Sequence, residues 1–232
     1  MPDPLVLTGV EKQYGGLRPL RVRDLRVPAG RITMLLGFDR PAAEVFVNLI
    51  TGATLPDKGE VACLGRSTAT ISGSDEWLRF VEHFGIVSDR IVLLESMTIA
   101  QNLAISFDLN LEPVPPDVMT RVTALAAEVD IDSATLESRV ADADPLLRSK
   151  IYLARALSLD PAIVVMEHPS ASLSARDAST YAAVVGTVAK RRGVTIVGLL
   201  MDEKFAKATG GRLLAWQPAS GEITERSSFR FW

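Results

Sequence analysis

Residues 33–52, TMLLGFDRPAAEVFVNLITG, constrain the fold more than any other stretch. An apolar strand runs into one glycine, a short loop follows, and a helix begins abruptly at a proline. Asp39 is placed to cap the first turn, and Pro41 sits where a helix needs no backbone N–H. Gly52 follows the helical run 41–51 at its C-terminus. The same order recurs downstream, where helical runs at 146–159 and 175–191 lead to apolar strand runs at 162–166 and 195–200. Apolar strands alternating with helices predict a parallel sheet joined by crossover helices.

Two other regions read differently. Strand candidates at 5–10, 20–27, 31–36 and 60–64 are divided by the turn signals Tyr14-Gly15-Gly16, Pro28-Ala29-Gly30 and Pro56-Asp57-Lys58-Gly59. The middle has helical periodicity, a break at Pro113-Val114-Pro115-Pro116, and an amphipathic run over 117–129. It reads as a helical insertion. Residues 213–216 and 222–224 predict a closing hairpin, and 227–232 are expected to pack on the body or on a partner. With 232 residues, 47% of them hydrophobic, the chain suits one domain. Residues 1–93 and 146–232 form its core, and 94–145 a helical subdomain.

Several classes are disfavoured. The net charge of -3 gives no basic excess for nucleic acid. One cysteine, Cys63, excludes an internal disulfide and fits a reducing compartment. His83 and His168 are far apart and lack metal-ligand spacing. No apolar run approaches the ~18 residues of a membrane span. The N-terminus, MPDPLVLTGVEK, is too polar for a secretion signal. A cytoplasmic protein is expected.

The chain resembles the nucleotide-binding subunit of an ABC transporter over almost its whole length. LTGVEKQYGG resembles the segment with the adenine-stacking aromatic, here Tyr14, and LRVPAGRITMLLG the strands entering the phosphate loop. LITGATLPDKGEVACLG resembles the stretch after the loop helix, and FGIVSDRIVLLESMTIAQNLAI the glutamine loop with the first helix of the helical subdomain. ARALSLDPAIVVMEHPSASLS resembles the run from the signature helix through the magnesium-binding strand, and VTIVGLLMD the strand before the switch histidine. The resemblance implies a P-loop NTPase-like α/β cassette, with an N-terminal antiparallel β part and a helical insertion.

The residues that would touch nucleotide are changed. The family's phosphate loop, Gly-x-x-Gly-x-Gly-Lys-Ser/Thr, aligns without gaps on Gly37-Phe38-Asp39-Arg40-Pro41-Ala42-Ala43-Glu44. Its glycines open the backbone N–H groups towards phosphate. Arg40 and Ala42 resist that geometry, Ala43 replaces the lysine, and Glu44 the magnesium-holding hydroxyl. One carboxylate about 4 Å from a phosphate charge repels it by ~4 kcal/mol where the effective dielectric is about 20. Asp39 and Glu44 are both placed to act so, while Arg40 is placed to reach a phosphate. Asp89 replaces the glutamine, with pairing to Arg90 or another cation expected. Asp144 holds the serine position of a signature motif that reads Ala143-Asp144-Pro145-Leu146-Leu147, a helix cap with a proline in its first turn. Glu167 holds the magnesium-binding aspartate position and His168 that of the water-activating glutamate; both are weak catalytic candidates. Met201 replaces the switch histidine.

The resemblance therefore implies a catalytically inactive cassette with a structural or regulatory role in a transporter complex. No cofactor and no metal are expected. The implied partners are a membrane-spanning subunit, gripped by the surface from Ser88 to Phe107, and a second cassette in a homodimer or heterodimer, at the inner face of the membrane. Two alternatives stay open. One is a divergent ATPase using ATP and magnesium through Arg40, Glu167 and His168, with SMTIAQNLAISF resembling cassettes of lipid- and lipoprotein-handling transporters. The other is a freestanding cytoplasmic adaptor.

Overall fold

A computed structural model describes residues 3–226. The expectation for 227–232 lies outside the described residues. The strands are β1 (Leu5–Lys12), β2 (Leu20–Val27), β3 (Ile32–Leu36), β4 (Lys58–Cys63), β5 (Arg66–Ser67), β6 (Phe84–Val87), β7 (Ile163–Glu167), β8 (Thr195–Leu200), β9 (Arg212–Trp216) and β10 (Ile223–Glu225). The α-helices are α1 (Arg40–Ile50), α2 (Ser74–Val81), α3 (Ile99–Ala104), α4 (Pro116–Glu128), α5 (Pro145–Leu157), α6 (Ala175–Arg192) and α7 (Glu203–Ala208).

The strands form two sheets. One is antiparallel, in the order β2-β1-β4-β5; the other runs β10-β9-β3-β8-β7-β6 and is parallel except for the β9–β10 hairpin. Strand periodicity divides the parallel sheet's side chains between two cores. Met34, Leu36, Val164, Met166, Ile196 and Leu200 face a core shared with α3, α4, α5 and α6. Leu35, Ile163, Val165, Val197 and Leu199 face a second core, where α1 lies with Leu5, Leu7 and Val22 of the antiparallel sheet. Both faces of the parallel sheet are thus covered, which its apolar strands require.

The predicted elements are present, with boundaries moved by a residue or two. The short elements β5, β6, α2 and α7 have no counterpart among the predicted elements. β6 is four residues with a glycine inside, a pattern that reads as a break. Gly85 is there because α5 passes close: a Cβ at this position would lie 2.1 Å from the carbonyl oxygen of Ala156. α3 opens with a capping box between Thr98 and Gln101.

The helical core holds one unusual group. Tyr181 on α6 is fully buried beside Phe205, and its hydroxyl has no hydrogen-bond partner. Burial pushes its pKa far up. A buried unpaired hydroxyl costs stability, so Tyr181→Phe is expected to raise stability by about 1 kcal/mol. The gain would be a Tm increase of roughly 2–4 °C. A fall in Tm on this substitution would mean that a buried water serves the hydroxyl.

Candidate functional site

The cleft at the C-terminal edge of the parallel sheet is built by three segments. The first is the connection from β3 to α1. Only Gly37, Phe38 and Asp39 lie between strand and helix, so helix already occupies the fourth of the eight positions aligned with a phosphate loop. Gly37 has φ 101° and its amide donates to the Leu200 carbonyl at 3.0 Å. A Cβ there would come within 2.6 Å of the Trp216 carbonyl oxygen, so only glycine fits. Phe38 is fully buried, stacked on Trp216 with ring centroids 4.2 Å apart and edge-on to Phe46 at 5.4 Å.

The backbone donors at the start of α1 are used internally. Asp39 caps the helix, its Oδ1 accepting from the Ala42 amide at 2.9 Å. The Ala43 amide donates to the Asp39 carbonyl at 2.9 Å, and Pro41 has no N–H. Ala43, aligned with the phosphate-binding lysine, faces the second core and is fully buried. Arg40 and Glu44, one helical turn apart, face the cleft instead.

The second segment follows β6 and the third ends β7. Arg40 Nη1 lies 2.7 Å from Asp89 Oδ2. Of the partners expected for Asp89, Arg90 or another cation, the structure has Arg40, and the guanidinium expected to reach a phosphate is engaged by the chain itself. Arg90 turns the other way. Its Nε and Nη2 donate to the two carboxylate oxygens of Glu167 at 3.0 and 2.5 Å, and its Nη1 lies 3.1 Å from Glu44 Oε1. Glu167 is buried, with 6% of its side chain exposed, and it also accepts from Ser88 Oγ at 2.8 Å. Hydrogen bonds to Glu167 raise the Arg90 pKa; burial opposes this, and the charges of Glu167, Glu44 and Asp89 reinforce it.

These residues, with Pro41 and His168, line a cavity of about 280 Å³. Two arginines face three carboxylates, Glu44, Asp89 and Glu167, a formal balance of -1. His168 takes a left-handed backbone (φ 45°), and its Nε2 is buried without a partner. No group of three or more His, Cys, Asp or Glu among the described residues is arranged to hold a metal ion.

The other predicted positions lie apart from this cavity. Tyr14 packs against the second core, and burial, with the nearby charge of Asp39, raises its pKa. Asp144 caps α5, as its proline neighbour suggested, with Oδ1 accepting from the Leu147 amide at 2.7 Å. Met201 is exposed at the end of β8. Asp202 caps α7 and accepts from Ser170 Oγ at 2.8 Å. Sequence reasoning missed Arg90 and Ser88 as members of the site, because only the fold brings them to Glu44 and Glu167.

The topology around this cleft has close counterparts. No family model matches the chain. It superimposes on cbiO1 from Clostridium perfringens, described as part of the ABC transporter complex cbiONQ, with a TM-score of 0.80, covering 97% of this chain and 88% of that one at 16% identity. It also superimposes on MJ0796, a dimeric ATP-binding cassette bound to ADP and Pi, with a TM-score of 0.74 at 18% identity, covering 98% and 100%. The chain has the fold of an ABC transporter cassette. By sequence the cassette is 24% identical over 214 residues to the sulfate/thiosulfate import ATP-binding protein CysA of Caulobacter vibrioides, covering 90% of this chain and 60% of that protein. It is 26% identical over 207 residues to the ribose import ATP-binding protein RbsA of Jannaschia sp., covering 88% and 40%. The cassette therefore spans about half the length of these curated relatives. The relatives are named as import ATP-binding proteins, and the solved structures share the fold. No helix among the described residues is long and apolar enough to cross a membrane.

Proposed function

We propose that this chain is a cassette subunit of an ABC-type transporter that fills its place in the complex without hydrolysing ATP. The observation that carries this reading is the ion-paired network in the cleft. The positions aligned with the magnesium-holding hydroxyl, the glutamine and the magnesium-binding aspartate all carry carboxylates, and Arg40 and Arg90 pair with them from within the chain, leaving a formal charge of -1. A magnesium nucleotide fits these residues poorly. The loop is three residues long, the Gly37 amide is used by Leu200 and those of Ala42 and Ala43 by Asp39, and the lysine position faces the core.

The remaining features of the reading follow the family. Residues 1–93 and 146–232 serve as the core and 94–145 as the helical subdomain. The subunit sits in the cytoplasm at the inner face of the membrane. It meets a membrane-spanning subunit through the surface from Ser88 to Phe107, where Val92 is 72% exposed. It pairs with itself or with another cassette, as the dimeric structure of MJ0796 does with its own copy.

Calorimetric titration of the purified chain with ATP and magnesium tests the proposal. No heat and no thermal shift up to millimolar ATP is the expected result. Saturable binding tighter than about 100 μM, worth ~5.5 kcal/mol, would overturn it. One observation favours a second reading, a divergent ATPase: Glu167 and His168 both line the cleft, and the His168 Nε2 is unpaired. Magnesium-dependent hydrolysis lost in His168→Ala would establish that reading.

A further inference from the structure

Arg40 and Glu44 lie one turn apart on the cleft face of α1, and opposite them stand two consecutive residues, Asp89 and Arg90. The signs alternate: Arg40 meets Asp89, and Glu44 meets Arg90. A slip of one residue would set Arg40 against Arg90 in one direction or Glu44 against Asp89 in the other, so like-charge repulsion opposes either slip. Arg90 extends this ladder to a third element, since the same guanidinium holds the buried Glu167 of β7 through two hydrogen bonds. Its backbone amide is tied as well, donating to Ser88 Oγ at 3.2 Å.

We infer that Arg90 is a built-in ligand of the cleft, a clasp that joins α1, the segment after β6 and the end of β7 and fixes the shape of the cleft. Two physical points support this role. Glu167 is buried and needs a counter-charge at all times. The planar guanidinium is the one protein group that serves a carboxylate through two parallel bonds and still has a donor for another. The Arg40–Asp89 rung is about 60% exposed on each side and adds register rather than strength. The inference concerns the shape of the cleft and stands apart from whether nucleotide binds.

Amide hydrogen exchange on the full chain, without nucleotide, tests it. Arg90→Ala is expected to speed exchange about tenfold or more at residues 86–93 and in the first two turns of α1, while β3 and β8 change far less. Arg40→Ala is expected to change the same amides by less than about threefold. Methylguanidinium at roughly 20 mM should slow the local exchange of Arg90→Ala and leave the natural chain unchanged. Unaltered exchange in Arg90→Ala, acceleration spread evenly over the chain, or no response to methylguanidinium would each overturn the inference. Should Arg90→Ala fail to fold, Arg90→Lys decides. One ammonium cannot hold Glu44 and both oxygens of Glu167 in the same geometry, so local acceleration is expected and natural protection would refute the clasp. ATP binding by the natural chain would sink the proposed function, yet these exchange results would still be read independently.

Discussion

The chain carrying Ala43→Lys together with Glu44→Ser is expected to lose about 4 kcal/mol of stability and to gain no affinity for ATP. The substitution restores the residues that a phosphate loop carries at the aligned positions. It fails because position 43 does not face the cleft. Ala43 is fully buried in the core that contains Phe38, Phe46 and Leu199. A lysine there must bury an unpaired ammonium or push the helix off the sheet. Glu44→Ser removes one of the two carboxylates that Arg90 holds and leaves Glu167 paired, so it adds little to the loss. The melt should shift down by roughly 8–16 °C, read beside a calorimetric titration with ATP and magnesium. A double variant that melts like the natural chain and binds ATP would show that α1 begins later and that the loop can open.

Phe38→Ala is expected to cost about 3–5 kcal/mol. A residue in a three-residue connection would ordinarily matter little. This one is fully buried, with Trp216 stacked on one side and Phe46 at its edge. Trp216 in turn donates from Nε1 to the Arg21 carbonyl at 2.7 Å, so the aromatic contact ties the connection to β9 and through it to β2. Urea denaturation measures the loss, and Phe38→Leu should recover about half of it. A loss under about 1 kcal/mol would mean that the connection is held by Asp39 and the Gly37 amide alone.

Much of this was legible from the residues. The strand, glycine and capped helix of 33–52, the proline-led cap at Asp144 and the closing hairpin all rest on local rules, and local rules suffice for them. The orientation of α1 was also written in the sequence. Ala43, Phe46, Val47 and Ile50 follow the spacing of a buried stripe, which leaves Arg40 and Glu44 on the open face. Aligning a motif position by position obscured that periodicity. Other features had no local signal. Phe38 reads as a loop residue until Trp216 arrives from the far end of the chain. Gly85 reads as a break until the close pass of α5 explains it. Arg90 meets Glu167 across 77 positions, and only the parallel order of β6 and β7 brings them together.

The placement of β3 carries a consequence for synthesis. Its hydrogen-bonding neighbours are β8 and β9, both from the last sixth of the chain. A ribosome adding about 5–20 residues per second takes roughly 8–30 s to pass from the end of β3 to the start of β8. Through that interval an apolar strand waits with both edges bare. The antiparallel sheet and α1 are made early and can shield one of its faces, while the edges stay open to any other strand that comes near. The vulnerable moment of this protein therefore belongs to its birth, and crowded polysomes would be where its losses occur.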